Sequence, residues 1–97
     1  MNKPGISFES VRTELMQDEE FKKEYERLQL RYEVISQLID ARKEQNLSQA
    51  ELAKRVGTQK SNISRLESGN YNPTLDMLVR VANSMGLKVN ISFEENM

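Results

Sequence analysis

LSQAELAKRVGTQKSNISRLESG, residues 47–69, is the stretch whose reading decides the fold. Its spacing predicts two short helices joined by a tight turn. Ser48 is placed to cap the first helix, and Glu51 three residues later completes a capping box. Ala50, Leu52, Ala53 and Val56 give that helix an inward apolar face. Gly57 supplies a residue that tolerates positive φ where the helix stops. Thr58 is expected to cap the second helix, whose inward face is Ile63 and Leu66. Lys60, Ser61, Ser64 and Arg65 form its outward face, which is polar and carries no acid.

A short polar helix held off a core by two apolar anchors suits the groove of a DNA duplex. The charge distribution fits that reading better than the total of −1 suggests. Residues 1–46 carry 8 Lys/Arg and 10 Asp/Glu, a balance of −2, and Glu94 and Glu95 add another −2 at the end. Residues 47–92 carry 6 Lys/Arg against 3 Asp/Glu, a balance of +3. Binding to phosphate depends on where charge sits rather than on its sum. The excess is small, so one copy is expected to bind weakly and a homodimer better.

The remaining composition excludes whole classes of function. Ninety-seven residues, 37% hydrophobic and 30% charged, predict one small soluble domain with at most an appendage. No stretch approaches the roughly 20 apolar residues of a membrane span, and the N-terminus shows no apolar run of signal-peptide type. There is no cysteine and no histidine. Thiolate chemistry, the commonest metal ligand and the commonest general base are therefore missing. Glu19, Glu20, Glu24 and Glu26 read as a solvated helix face, because nothing near them supplies a nucleophile or base. The expectation is a cytoplasmic protein that is not an enzyme, with no metal, no cofactor and no small-molecule ligand.

Working outward, residues 1–6 read as a loose leader containing Pro4 and Gly5. A short helix is predicted from Ser7 or Ser10 to about Met16, with Phe8, Val11 and Leu15 on its apolar side. A long helix follows from about Asp18 to Gln45 and stops at Asn46. Phe21, Tyr25, Leu28, Tyr32, Ile35 and Ile39 recur along it at a heptad-like spacing. Its second half, from Val34, is expected to pack on the 47–69 helices, and the lower half of the Phe21/Tyr25/Leu28/Tyr32 seam is read as core. Phe21 and Tyr25 need a cover, either the 7–16 helix or a partner protein.

Beyond residue 69, Asn70–Pro73 reads as a loop. Thr74 caps a last helix with Leu75, Leu78, Val79, Ala82 and Met85 facing the core, ended by Gly86. Residues 87–94 alternate strictly between apolar and polar, which predicts one half-buried C-terminal β-strand. A lone strand has open edges, so Leu87, Val89, Ile91 and Phe93 are expected to meet a second copy. The expected protein is mainly α. It has five helices in all: an N-terminal helical arm over 1–33 and a helix-turn-helix domain over 34–86, followed by one short strand with its tail over 87–97.

These residues carry a family resemblance. Leu47, Gln49, Leu52-Ala53, Val56-Gly57, Ile63-Ser64-Arg65-Leu66-Glu67, Gly69, Pro73-Thr74-Leu75 and Leu78 resemble the helix-turn-helix of the phage-repressor/Cro class, the XRE family, over about residues 34–87. The whole layout is similar to the HigA-type antitoxins, which pair with small ribonuclease toxins of the RelE/HigB kind and repress their own operon. The resemblance implies an antitoxin of a type II toxin–antitoxin system that binds double-stranded DNA at a palindromic operator. The alternative is a stand-alone XRE-type transcriptional regulator with no toxin partner.

The resemblance also implies roles for single residues. Gln49 sits where such proteins bond a DNA phosphate, and Lys60, Ser61 and Arg65 sit where they reach base edges. Gln59 and Asn62 flank these, for phosphate or base, and Asn70 is placed to give a backbone N–H to phosphate. Phe21 and Tyr25 are the candidate toxin contacts. Many relatives carry glutamine or threonine where this chain has Lys60 and Ser61, so operator preference does not transfer. Arg65 has acidic alternatives in Glu51 and Glu67. Glu67 itself reads as structural, tied to backbone or to Arg42, because an acid beside phosphate is repelled.

Overall fold

Asp18 starts the first helix by local chemistry. Its carboxylate accepts the Phe21 N–H at 3.0 Å, satisfying one of the donors a helix start leaves open. Helix α1 then runs Glu19–Glu44, with Glu19 and Glu20 in its first turn and Arg42 and Lys43 in its last, the arrangement the helix dipole favours. The computed structural model describes residues 17–95, which fall into two compact units divided between Tyr32 and Glu33. In the first unit the rings of Phe21 and Tyr25 lie 6.2 Å apart, tilted by 33°. Arg27 pairs with Glu24 one turn back on the exposed surface. The predicted helix over 7–16 lies outside the described residues.

The second unit holds the end of α1 and three short helices, α2 (Gln49–Val56), α3 (Lys60–Glu67) and α4 (Leu75–Ser84). Each boundary has a visible cause. The Ser48 hydroxyl accepts the Glu51 N–H at 3.0 Å, while the Glu51 carboxylate accepts the Ser48 N–H at 2.8 Å, a complete capping box. Thr74 caps α4 through the Met77 N–H at 3.1 Å. Asn46 ends α1 at φ 57° and Gly57 ends α2 at φ 83°, both left-handed. At each stop the next N–H reaches five residues back, Leu47 to the Arg42 carbonyl and Thr58 to that of Ala53, so the orphan carbonyls are satisfied. A Cβ at Gly57 would meet nothing within 4 Å, so backbone angle rather than space demands glycine there.

One core joins the four helices. Leu38, Leu47, Leu52, Ala53, Ile63, Leu66, Val81, Ala82 and Met85 are buried together. Leu52, Ile63, Leu66 and Val81 are the largest side chains fully removed from solvent. Two hydrogen bonds tie helix ends across this core. Gln45 donates its side-chain amide to the Met85 carbonyl at 2.8 Å, and Arg80 donates to the Val56 carbonyl at 3.0 Å, at the negative end of α2.

Several expectations need correction. The cap of α3 is Gln59, without a side-chain hydrogen bond, and not Thr58. The Thr58 hydroxyl instead accepts from the Asn62 amide at 2.7 Å, so it is spent one residue too early to cap the backbone. Ala50 is exposed, because α2 turns only Leu52 and Ala53 fully inward. On α4 Ala82 and, at its C-cap, Met85 are buried and Leu78 packs on the core as expected, but Leu75 is 54% exposed and Val81 is buried instead, so the helix is turned partway from the expected face. Tyr32 is exposed, and burial on α1 begins at Ile35 and Leu38.

The five-helix count becomes four among the described residues. The C-terminal strand is also absent among them, since residues 87–95 have no ladder partner. A single segment cannot supply the second row of N–H and C=O groups a strand needs. Val89 still packs on the core, whereas Leu87, Ile91 and Phe93 are exposed, Phe93 to 98%. No helix among the described residues is long and apolar enough to cross a membrane.

Ile63→Ala is expected to lower the unfolding free energy by about 2–5 kcal/mol, a large share of a small domain's stability. Urea denaturation checks it; a loss below 1 kcal/mol, within the range of a surface change, contradicts the core described. The Ser48 N–H and hydroxyl hold the Glu51 carboxyl below its usual pKa. A carboxyl whose pKa is depressed on folding stabilises above the ordinary carboxylate range and loses that contribution as pH falls through its folded value. The stability difference between wild type and Glu51→Gln is therefore expected to be greatest near neutral pH and to shrink on acidification, as read by thermal unfolding at several pH values.

Candidate nucleic-acid interface

The site is built on an ion pair that spans 25 residues of sequence. Arg42, in the last turn of α1, meets Glu67, the last residue of α3, through two parallel bonds: Nε to Oε2 at 2.7 Å and Nη2 to Oε1 at 3.0 Å. Its remaining Nη1 donates to the Leu47 carbonyl at 2.8 Å. Gln49, the first residue of α2, donates Nε2 to Glu67 Oε1 at 2.9 Å. One carboxylate therefore joins α1, α2 and α3. The Arg42 and Glu67 side chains are only 12% and 8% exposed. The Glu67 hydrogen bond raises the Arg42 pKa above its usual value against the opposing effect of burial, so the guanidinium keeps its charge.

This junction fixes which face α3 shows. Ile63 and Leu66 point into the core, and Lys60, Ser61, Ser64 and Arg65 point out, all four exposed. At 3.6 residues per turn those four cover an arc of about 140°. No acidic side chain shares that arc, because Glu67 is turned inward to Arg42 and Gln49. Gln59 stands exposed at the start of α3.

Not every residue predicted for the site is displayed in the same way. Gln49 is half-buried and gives one amide hydrogen to Glu67, which leaves its second hydrogen for another acceptor. Asn62 is half-buried and turned to Thr58 rather than outward. The Asn70 N–H is directed to the Ser68 hydroxyl at 3.2 Å. Arg65 pairs with neither Glu51 nor Glu67; its guanidinium lies over the Tyr71 ring, 5.8 Å from the centroid. Tyr71 was not singled out in the sequence. The signal was an aromatic in the loop just after an arginine-bearing helix. Phe21 and Tyr25 belong to the first unit and are half-buried.

Two short helices, locked to one another and to a preceding helix, with the second presenting a polar cationic face, define a helix-turn-helix protein. The chain belongs to the Helix-turn-helix family HTH_3, which matches residues 38–91. It is 43% identical over 44 residues to an uncharacterized HTH-type transcriptional regulator of Archaeoglobus fulgidus, covering 45% of this chain and 62% of that protein. It is 47% identical over 45 residues to an uncharacterized HTH-type transcriptional regulator of Methanothermobacter thermautotrophicus, covering 46% of this chain and 65% of that protein. The match thus spans slightly under two thirds of either relative. Among solved structures, a chain titled Toxin-Antitoxin module from Streptococcus pneumoniae superposes with a TM-score of 0.63 at 32% identity, over 94% of this chain and 96% of that one.

Arg42→Met with Glu67 retained is expected to cost about 3–5 kcal/mol, because it leaves a carboxylate buried without its counter-charge. Arg42→Met combined with Glu67→Leu is expected to recover most of that loss. Chemical denaturation of the three proteins checks this, and equal losses in the single and double variants contradict it.

Proposed function

We propose that this protein is a sequence-specific DNA-binding transcriptional regulator that acts as the antitoxin of a toxin–antitoxin pair. The observation that carries the DNA part is the α3 face. Lys60 and Arg65 stand exposed on it, while Glu67 is taken up by Arg42 and Gln49. In this role Lys60, Ser61 and Arg65 read base edges in the major groove. Arg65 suits guanine O6 and N7 through its fork of donors, and Lys60 acts as a point charge. Gln49 reaches a phosphate with its second amide hydrogen and Gln59 with its side chain. Asn62 and the Asn70 N–H join only after release from Thr58 and Ser68. The two relatives named as HTH-type transcriptional regulators support this reading.

The regulator acts as a homodimer on a palindromic operator. Its recognition helices then lie about 34–36 Å apart, one helical turn of DNA. The exposed apolar residues Leu87, Ile91 and Phe93 support a contact with a second copy. The antitoxin part rests on the likeness to a toxin–antitoxin module over nearly the whole of both chains. The toxin is a small basic ribonuclease of the RelE/HigB kind, met by Phe21 and Tyr25 on the acidic arm. The role involves no catalysis, no cofactor and no small molecule.

Mobility shift against a duplex selected by the wild-type protein from a randomised pool tests the DNA role. Lys60→Ala and Arg65→Ala are each expected to cost about 1–3 kcal/mol and to relax the sequence preference at one base pair. A specific complex unaffected by either change contradicts the site. For the partner role, co-expression with the product of the adjacent gene is expected to give a stable complex that Phe21→Ala with Tyr25→Ala weakens at least tenfold, about 1.4 kcal/mol or more. Absence of any complex with wild type favours the stand-alone regulator instead.

A further inference from the structure

We infer that Tyr71 is a positioning residue, which holds the Arg65 guanidinium by its face so that its edge is presented to a base pair. This inference rests on the DNA-reading role proposed above for Arg65 and adds to it a residue beyond α2 and α3. The geometry has three parts. The Arg65 guanidinium carbon lies 5.8 Å from the centroid of the Tyr71 ring, within the range of a cation–π contact. Arg65 is exposed while Tyr71 is half-buried, so the ring is the anchored member and the arginine the held one. The loop between them is fastened at its start: the Ser68 hydroxyl donates to the Arg65 carbonyl at 2.6 Å and accepts the Asn70 N–H at 3.2 Å. Gly69 sits between at φ 80°, buried, and turns the chain back. The turn after α3 is thus shaped to bring residue 71 against residue 65.

The chemistry of the partner explains why an aromatic suits this place better than an acid. A carboxylate would fix Arg65 equally well, but it would neutralise the charge and occupy the donors needed for a guanine edge. An aromatic ring takes the flat face of the guanidinium, leaving its five N–H donors, which lie in the plane, open. The acid nearest in sequence, Glu67, is committed to Arg42 and Gln49 on the opposite side of α3. Arg65 therefore pairs with no acid among the described residues, yet loses rotamer freedom before binding. A group immobilised in advance forfeits less entropy on binding.

The test is a double-mutant cycle on the full chain, with the duplex that wild type selects from a randomised pool as probe. Tyr71→Leu removes the ring but keeps an apolar body in the loop, and is expected to weaken specific binding about three- to tenfold. It is expected to relax preference at the same base pair as Arg65→Ala and to leave the salt dependence of binding as in wild type, because no charge is lost. Tyr71→Phe keeps the ring face and is expected to stay within about twofold of wild type. In the Arg65→Ala background, Tyr71→Leu is expected to have no further effect. In the free protein, the Arg65 δ-proton resonances are expected to be ring-shifted upfield and to return to ordinary positions in Tyr71→Leu. Additive losses, relaxed preference at a different base pair, failure of Tyr71→Phe to preserve binding, or no ring shift each overturn the positioning role while leaving the DNA reading intact. If wild type selects no sequence, the DNA reading falls and this inference falls with it.

Discussion

Everything in the second unit hangs on the Arg42–Glu67 pair. Apolar contacts alone let short helices slide and rotate, because the hydrophobic effect has no direction. An eight-residue helix such as α3 has little stability of its own and takes its pose from what it is bonded to. The paired hydrogen bonds from Arg42 accept only one orientation of the Glu67 carboxylate, and Gln49 takes up the same carboxylate from α2. A largely buried ion pair is weak evidence for stability, since desolvation offsets much of its attraction. Here its value is geometric: it sets the angle at which α3 turns one face to the core and the other to solvent.

The same pair shapes the electrostatics. Turning Glu67 inward keeps an acid off the outer arc of α3, so Lys60 and Arg65 act undiluted. A protein whose total charge is −1 can in this way show a cationic surface where it is proposed to meet phosphate. Tyr71 follows the same logic on the other side, since it fixes Arg65 without neutralising it. Two further polar side chains are spent on helix ends. Gln45 and Arg80 each take a carbonyl left open at the end of another helix, and among the described residues no buried side-chain polar atom lacks a partner.

In the proposed role the two units divide the labour. The second reads DNA through α3, and the first, with Phe21, Tyr25 and its run of glutamates, meets a basic partner. The exposed Leu87, Ile91 and Phe93 leave apolar surface in water, which is the physical reason for proposing self-association.

The amino-acid order by itself determined the features governed by nearest neighbours. The Ser48–Glu51 capping box, the Thr74 cap, the left-handed stops at Asn46 and Gly57, and the inward Ile63 and Leu66 are all legible because each depends on residues within about one or two helical turns. The tie between Glu67 and Arg42 was legible as an alternative, since an acid beside a DNA-reading face needs an inward partner. Other features depend on what arrives from far along the chain. Rotation of α4 onto Val81 instead of Leu75, the exposure of Ala50 and Tyr32, and the seat of Arg65 over Tyr71 follow from how four helices close on one core. The strand over 87–94 failed for the complementary reason. Alternation fixes which residues share a face, but a strand also needs a second backbone beside it, and periodicity within one segment cannot supply that. Local bonding wrote the helices, and only tertiary closure decided which way each one faces.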